Sequence, residues 1–298
     1  MAATAFDDLP EMIITQEIFM RLPSRDVLQC SAVSRSWRVA TTNKEFLLKH
    51  YSRQPSLPLV FHKVSPSIYE VEALDIREAP AKRWHVLDPD MYTAILASCD
   101  GLVLLSLQTP RFSVVNPVTH QRFMLPGLKG AGRCNVKAMY PHPRRSGEYQ
   151  ILFWRGEREL RGGYQILTVG SSKNQKPRCI GWYPVASACT RTVYLLAGRH
   201  SYMWRPPILL NGCLHWSYGL DRLLIFDTLK ESFRSMRPPI AARGSCRYLL
   251  EMEGRLVMRC IDDVEGIMQT WVLQDYERVT WSLRCQIEFP VAYYGTIM

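Results

Sequence analysis

The sequence predicts an α+β chain that is mainly β, with a helical segment at residues 6–53 and an antiparallel β region at 57–298. Three observations carry this expectation. Residues 8–49 break into runs that start at capping residues, and proline ends the first of them at Leu22-Pro23. After Gln54-Pro55-Ser56-Leu57-Pro58 prolines become frequent, and short runs of Val, Ile, Leu, Phe, Tyr and Trp stand between Gly, Pro, Asn or Asp. Those runs also recur with a common phrasing.

Taken in order, Asp8 followed by Leu9-Pro10-Glu11 forms a capping-box-like start, with proline near the first turn where its missing N–H costs nothing. Ser24 can cap a second helix through Val27, Leu28, Cys30 and Ala32, with Asp26 favourable in its first turn. A third short helix holds Ser36, Trp37, Val39 and Ala40, and Thr42-Asn43 precedes one more turn from Glu45 to Lys49. The strand-like runs are Val103–Ser106, Phe112–Val115, Gln150–Trp154, Tyr164–Val169, Leu223–Phe226, Leu256–Met258, Thr270–Leu273 and Gln286–Phe289.

Asp100-Gly101, Asn211-Gly212 and Glu253-Gly254 each place a polar turn before an apolar strand. Gly101 to Asn116 and Gly212 to Asp227 are both fifteen residues, each followed by a turn and an aromatic, Phe123 or Phe233, and Asp275 with Trp281 repeats the ending. Gly212 to Gly254 is forty-two residues, within the ~40–50 residues of a four-stranded propeller blade. Gly147-Glu148-Tyr149 can start a further unit. With the chain stopping soon after Phe289, a short or imperfectly closed ring is expected.

Composition narrows the class. The 298 residues are 47% hydrophobic and 21% charged, and no run approaches the ~20 apolar residues that span a bilayer. Asp7, Asp8 and Glu11 stand where a secretory leader would be basic and apolar. The nine cysteines are scattered without C-x-x-C spacing, which argues for free thiols in a reducing compartment, cytoplasmic or nuclear. Of the net charge of +10, most lies in residues 129–178, with eleven basic against three acidic residues.

The first helix poses a physical problem. Met12, Ile13, Ile14, Ile18, Phe19, Met20 and Leu22 cover most of its circumference, and only Glu17 and Arg21 form a polar stripe. A unit of this size has too little chain to cover such a helix on all sides. One face can pack on the next helices and Trp37; the other needs the β region or another protein.

Leu9-Pro10-Glu11, Ile18, Arg21-Leu22-Pro23, Asp26-Val27-Leu28, Cys30, Ala32-Val33-Ser34 and Ser36-Trp37-Arg38 resemble the F-box, in order and nearly in register. Leu9 to Pro23 is one residue longer than the F-box spacing, which leaves the register of helix one open. That resemblance implies docking onto a Skp-type adaptor and, through it, a cullin. The implied adaptor contacts are Leu9, Pro10, Ile13, Ile18, Leu22, Pro23, Val27 and Leu28, with Val33 and Trp37 shared between that interface and the helical core. The β region resembles the F-box-associated region of plant F-box proteins through Ser98-Cys99-Asp100-Gly101-Leu102, Val115-Asn116-Pro117-Val118-Thr119, Tyr140-Pro141-His142-Pro143, Gly147-Glu148-Tyr149, Leu210-Asn211-Gly212-Cys213-Leu214-His215-Trp216, Phe226-Asp227-Thr228 and Thr270-Trp271-Val272-Leu273. This second resemblance implies a propeller-like domain that recruits a protein substrate for ubiquitination.

No constellation for catalysis is visible. The seven histidines are dispersed, and no H-E-x-x-H, G-x-S-x-G, Walker or G-x-G-x-x-G motif occurs. Asp262-Asp263 with Glu265-Gly266 reads as a hairpin connection, His215-Trp216 as a packed pair, and Cys99 as a buried thiol. No metal or cofactor is expected. Arg155, Arg158 and Arg161 around Gly156 and Gly162-Gly163 read as a long charged hairpin turn, and Arg144-Arg145 as a loop tip. These five arginines are either a solvated surface or a face for an acidic partner, and nucleic acid is not the expected one.

The expected protein is therefore the non-catalytic substrate receptor of an SCF-type ubiquitin ligase. The alternative is an interaction scaffold outside any ligase, whose N-terminal helices merely pack on the propeller.

Overall fold

A computed structural model describes residues 9–54, 59–65, 68–75, 82–87, 94–107, 112–117, 121–125, 133–158, 161–170, 176–181, 206–218, 222–239, 246–262 and 264–290. Helix α1 (Glu11–Ile13) runs directly into a π-turn (Ile14–Ile18) and a 3-10 turn (Phe19–Arg21); α2 (Ser24–Val33), α3 (Arg35–Thr42) and α4 (Lys44–Arg53) follow. Asp8 lies outside the described residues.

The π-turn accounts for the long first helix. The Phe19 N–H bonds to the Ile14 carbonyl, an i→i+5 step, and such a step houses one extra residue within a helix while the flanking turns keep their phase. The additional residue between Leu9 and Pro23 is taken up there. Leu22 is extended, with ψ of 150°, as the residue before a proline prefers. Its carbonyl, cut off from the helix, accepts from Gln54 Nε2 at 3.0 Å and from His50 Nε2 at 2.8 Å.

The expected cap of α2 changes. Ser24 makes no capping bond; Pro23 occupies the N-cap of α2, its extended backbone already set at φ −56° and ψ 149°. Ser34 caps α3 by accepting from the Trp37 N–H at 3.1 Å, and Asn43 caps α4 through the Glu45 N–H at 2.8 Å. With that cap the expected single turn extends to the whole of α4.

The remaining elements are strands in five antiparallel sheets. One is three-stranded: β1 (Leu59–Ser65), β2 (Ile68–Asp75) and β3 (Lys82–Leu87). Four four-stranded sheets follow, each built from strands consecutive in sequence: β4 (Ala94–Cys99), β5 (Leu102–Ser106), β6 (Phe112–Val115), β7 (Arg122–Met124); β8 (Arg133–Pro141), β9 (Tyr149–Arg158), β10 (Arg161–Val169), β11 (Arg178–Gly181); β12 (Ile208–Leu210), β13 (Cys213–Tyr218), β14 (Arg222–Asp227), β15 (Ser232–Met236); and β16 (Cys246–Met252), β17 (Arg255–Asp262), β18 (Ile267–Asp275), β19 (Thr280–Glu288). None closes on itself. The chain falls into two compact units, residues 1–130 with 145–149 and 169–175, and residues 131–144, 150–168 and 176–298.

The repeated turn phrases have one geometry. Asp100-Gly101 (φ 49° and 74°), Asn211-Gly212 (51° and 70°) and Glu253-Gly254 (55° and 72°) each join the first two strands of a sheet. Both residues are left-handed, the type I′ turn whose twist suits a two-residue hairpin. The third and fourth strands of the last two sheets also share a device, since Asp227 Oδ1 accepts from the Leu229 and Lys230 N–H groups and Asp275 Oδ1 from those of Glu277 and Arg278. Asp262 does the same for Val264 and Glu265 in the acidic connection between β17 and β18.

The cores are those of stacked sheets. In the first unit Val103, Leu104, Leu105 and Phe112 are buried. In the second, Tyr140, Leu152, Trp154, Tyr164 and Ile166 pack with Leu214, Trp216, Leu224 and Phe226, and a separate cluster joins Leu223, Ile225 and Met236 to Leu256, Met258 and Leu273. His215 is buried: its Nδ1–H donates to the Ile208 carbonyl at 3.1 Å and its Nε2 accepts from the Tyr276 hydroxyl at 2.7 Å. Desolvation lowers its pKa and holds the ring neutral.

Candidate functional site

The helical unit has a complete interior of its own. Ile14, Phe19 and Val27 are buried, with Ile18, Leu22, Cys30, Trp37 and Phe46 packed against them. Phe19 and Trp37 meet edge-to-face at 5.0 Å. Several large apolar side chains nonetheless lie on its outside. Leu9, Met12, Ile13, Leu28, Val33, Val39 and Leu47 are exposed, Met12 to 64% and Val33 to 70%. Glu17 and Arg21 pair at 3.1 Å on the surface, as does Glu45 with Lys49 at 2.7 Å; hydrogen bonding to Lys49 lowers the Glu45 pKa.

The ten residues read from the sequence as docking contacts separate into two groups. Leu9, Pro10, Ile13, Pro23, Leu28 and Val33 face outward. Val27 is interior, and Ile18, Leu22 and Trp37 are half-buried against that interior. Met12, Val39 and Leu47 are large exposed apolar side chains that the sequence reading did not single out. Met12 was legible only as one of many apolar residues around helix one, because an ideal 100° wheel cannot represent the π-turn that follows it.

The five arginines of the basic segment are not brought together. Arg144 and Arg145 are exposed in the connection between β8 and β9, where Arg145 pairs with Glu148 at 3.3 Å. Arg158 ends β9 and Arg161 begins β10, at the far end of a ten-residue strand, roughly 30 Å away at about 3.3 Å per residue. Arg155 is half-buried in β9, its guanidinium 5.3 Å from the centre of the Phe153 ring. The expected long charged turn is thus mostly paired strand, with only residues 159–160 between β9 and β10. A glycine in that strand has a packing reason, since a Cβ on Gly163 would stand 3.3 Å from Cys179 Sγ. Cys134 lies near Arg155 and Lys137, and burial pushes its thiol up to about 11 against their charges. Lys137 itself is buried in β8, which lowers its pKa.

Among the described residues no three His, Cys, Asp or Glu side chains gather in a way that could hold a metal ion. No described helix is long and apolar enough to cross a membrane. Cys99 carries no sign of activation: burial first, and the neighbouring Asp100 second, raise its pKa, the opposite of a nucleophilic thiol.

Two family models match the chain. An F-box-like family model matches residues 6–54, and the model of the F-box associated beta propeller domain matches residues 59–293. Similar proteins from Arabidopsis thaliana include F-box protein At5g18160, 25% identical and aligned over 90% of this chain and 68% of its own length. F-box protein At5g10340 is 24% identical over 92% of this chain and 67% of its own. F-box protein At4g19940 is also 24% identical, over 92% and 71% respectively.

Proposed function

Because the chain belongs to the family of F-box proteins that carry an F-box associated β-propeller domain, we propose that it is the substrate-receptor subunit of an SCF-type ubiquitin ligase. In this reading the helices of residues 9–54 hold a Skp-type adaptor, and through it a cullin, while the β region holds a target protein. The architecture is that of a non-catalytic subunit. What it contributes is effective concentration of ubiquitin-transfer machinery near the target's lysines. The free thiols of the described cysteines suit a reducing compartment, cytoplasm or nucleus.

One observation carries the reading: a helical unit with a finished core still presents Leu9, Met12, Ile13, Leu28 and Val33 to solvent. Large apolar side chains left out on a unit this small mark a surface that another protein covers. The scaffold alternative has α4 against the β4–β5 turn in its favour, where Tyr51 lies next to Gly101. It leaves the five exposed side chains, Leu9 ahead of α1 and the other four on α1 and α2, without a role.

Co-expression with a tagged Skp-type adaptor tests the proposal. The full chain should be retained, and the double substitution Leu9→Ala with Pro10→Ala should reduce retention without loss of helical circular dichroism. A wild-type chain that is folded and not retained would refute it.

A further inference from the structure

A second cluster lies within the first compact unit and joins α4, the β4–β5 turn and the first residue of β9. Tyr51, in the last turn of α4, lays its ring on Gly101: a Cβ at that position would stand 3.5 Å from Tyr51 Cε2 and 3.7 Å from Cδ2. Gly101 is left-handed at φ 74°, so any other residue would be strained there, although its Cβ would only touch the ring. Tyr149 Oη donates to Asp100 Oδ2 at 3.2 Å. Burial raises the pKa of Tyr51, Tyr149 and the Cys99 thiol, and in each the Asp100 carboxylate raises it further. The Tyr149 hydroxyl is bonded to the carboxylate, and the Tyr51 hydroxyl lies beside the backbone of the same turn.

Turn geometry alone does not ask for this. A type I′ turn accepts Asn or Gly as readily as Asp at its first central position, so the carboxylate is free to serve the neighbouring hydroxyls. We propose that the Asp100–Gly101 turn is a seat that fixes the helices on the β4–β7 sheet, with Tyr51 as the seated group, Asp100 as the keystone and Tyr149 as its brace. The helical unit and that sheet then move as one body, and their separation is set by side-chain contacts and not by the length of residues 54–58. In this role Tyr51 and Asp100 are positioning residues, acting through the orientation of the helices. The inference goes beyond the ligase reading and is tested on the chain alone, so the two can fail separately.

The test is pulsed electron paramagnetic resonance on the full chain, with nitroxides attached through a ketone-bearing phenylalanine analogue placed at Leu47 and Phe123, both exposed. The unsubstituted seat should give a single narrow distance distribution. Tyr51→Ala and Asp100→Gly should each lose that narrow peak, while Asp100→Asn, whose amide oxygen still accepts from Tyr149, should keep it. Thermal unfolding followed in parallel should fall only slightly for Asp100→Gly, because glycine retains the left-handed turn and only the Tyr149 hydrogen bond is lost; a merely structural role would move the melt and leave the distribution narrow. A broad distribution in the starting chain, or a narrow one in both Tyr51→Ala and Asp100→Gly, overturns the proposal. Should Tyr51→Ala fail to fold, Asp100→Gly decides alone.

Discussion

Val27 and Val33 lie on the same helix and resemble the same family contacts, yet the structure buries one and exposes the other. Val27 is 6% exposed in the core of the helical unit, and Val33 is 70% exposed at the end of α2. The change Val→Ala removes two carbons at each site. At Val27 the lost transfer free energy, about 0.8 kcal/mol per carbon, adds to a cavity term for a total of about 2–3 kcal/mol. The corresponding opening of α2 should speed exchange of its amide hydrogens by about 30- to 150-fold. At Val33 most of that surface already meets water, so the stability cost should stay under about 0.5 kcal/mol. If the adaptor covers Val33, burial of the exposed fraction is worth about 1 kcal/mol, or about six-fold in Kd. Hydrogen exchange of residues 24–33 and adaptor titration calorimetry, run on both variants, read the two quantities separately. The reasoning is refuted if Val33→Ala accelerates exchange as Val27→Ala does, or if its adaptor Kd equals that of the wild type.

Further expectations follow from other parts of the fold. Deleting Gln16, exposed within the π-turn, should convert Ile14–Ile18 to plain α-helix with the melting temperature and adaptor retention both preserved; a folded deletion variant that lost the adaptor would show the π-turn itself to be part of the contact. Gly212→Ala should cost about 1–2 kcal/mol through its left-handed backbone alone, since the nearest atom to the added Cβ is Thr228 Oγ1 at 3.9 Å; denaturant titration measures it, with Asn211→Gly as the neutral control. His215 is neutral and its folded pKa lies below the ordinary value, so the unfolded chain binds the extra proton first. Its stabilisation is complete above about pH 6.5 and is lost as pH falls from there through the folded pKa. Melts between pH 7 and 5 should therefore decline more steeply for wild type than for His215→Gln, and equal slopes would contradict the assignment.

Much of this fold was legible because its punctuation is chemical. Pro23 stops one helix, and Asp100-Gly101, Asn211-Gly212 and Glu253-Gly254 announce hairpins through residues that tolerate a left-handed backbone. Strands such as β5 and β14 read clearly because both sheet faces bury them. By contrast β2, with Glu70 and Glu72 among its apolar residues, and the exposed β7 give a weak signal. The π-turn was out of reach because an extra residue inside a helix changes its phase without changing its composition. That same phase decides whether Met12 or Ile18 faces outward, so the docking residues read on helix one mixed surface with core. The seat of Tyr51 was also hidden: its three tyrosine and aspartate partners are up to 98 positions apart in sequence, from Tyr51 to Tyr149.

The central claim is that the exposed apolar side chains of the helical unit are an adaptor surface, and hydroxyl-radical footprinting of methionines reads it directly. Met12 is 64% exposed, Met124 on β7 is 40% exposed, and Met258 is fully buried. Saturating Skp-type adaptor should suppress oxidation of Met12 while Met124 reacts as before and Met258 stays inert. Met12 oxidised as fast with the adaptor as without it would contradict the account.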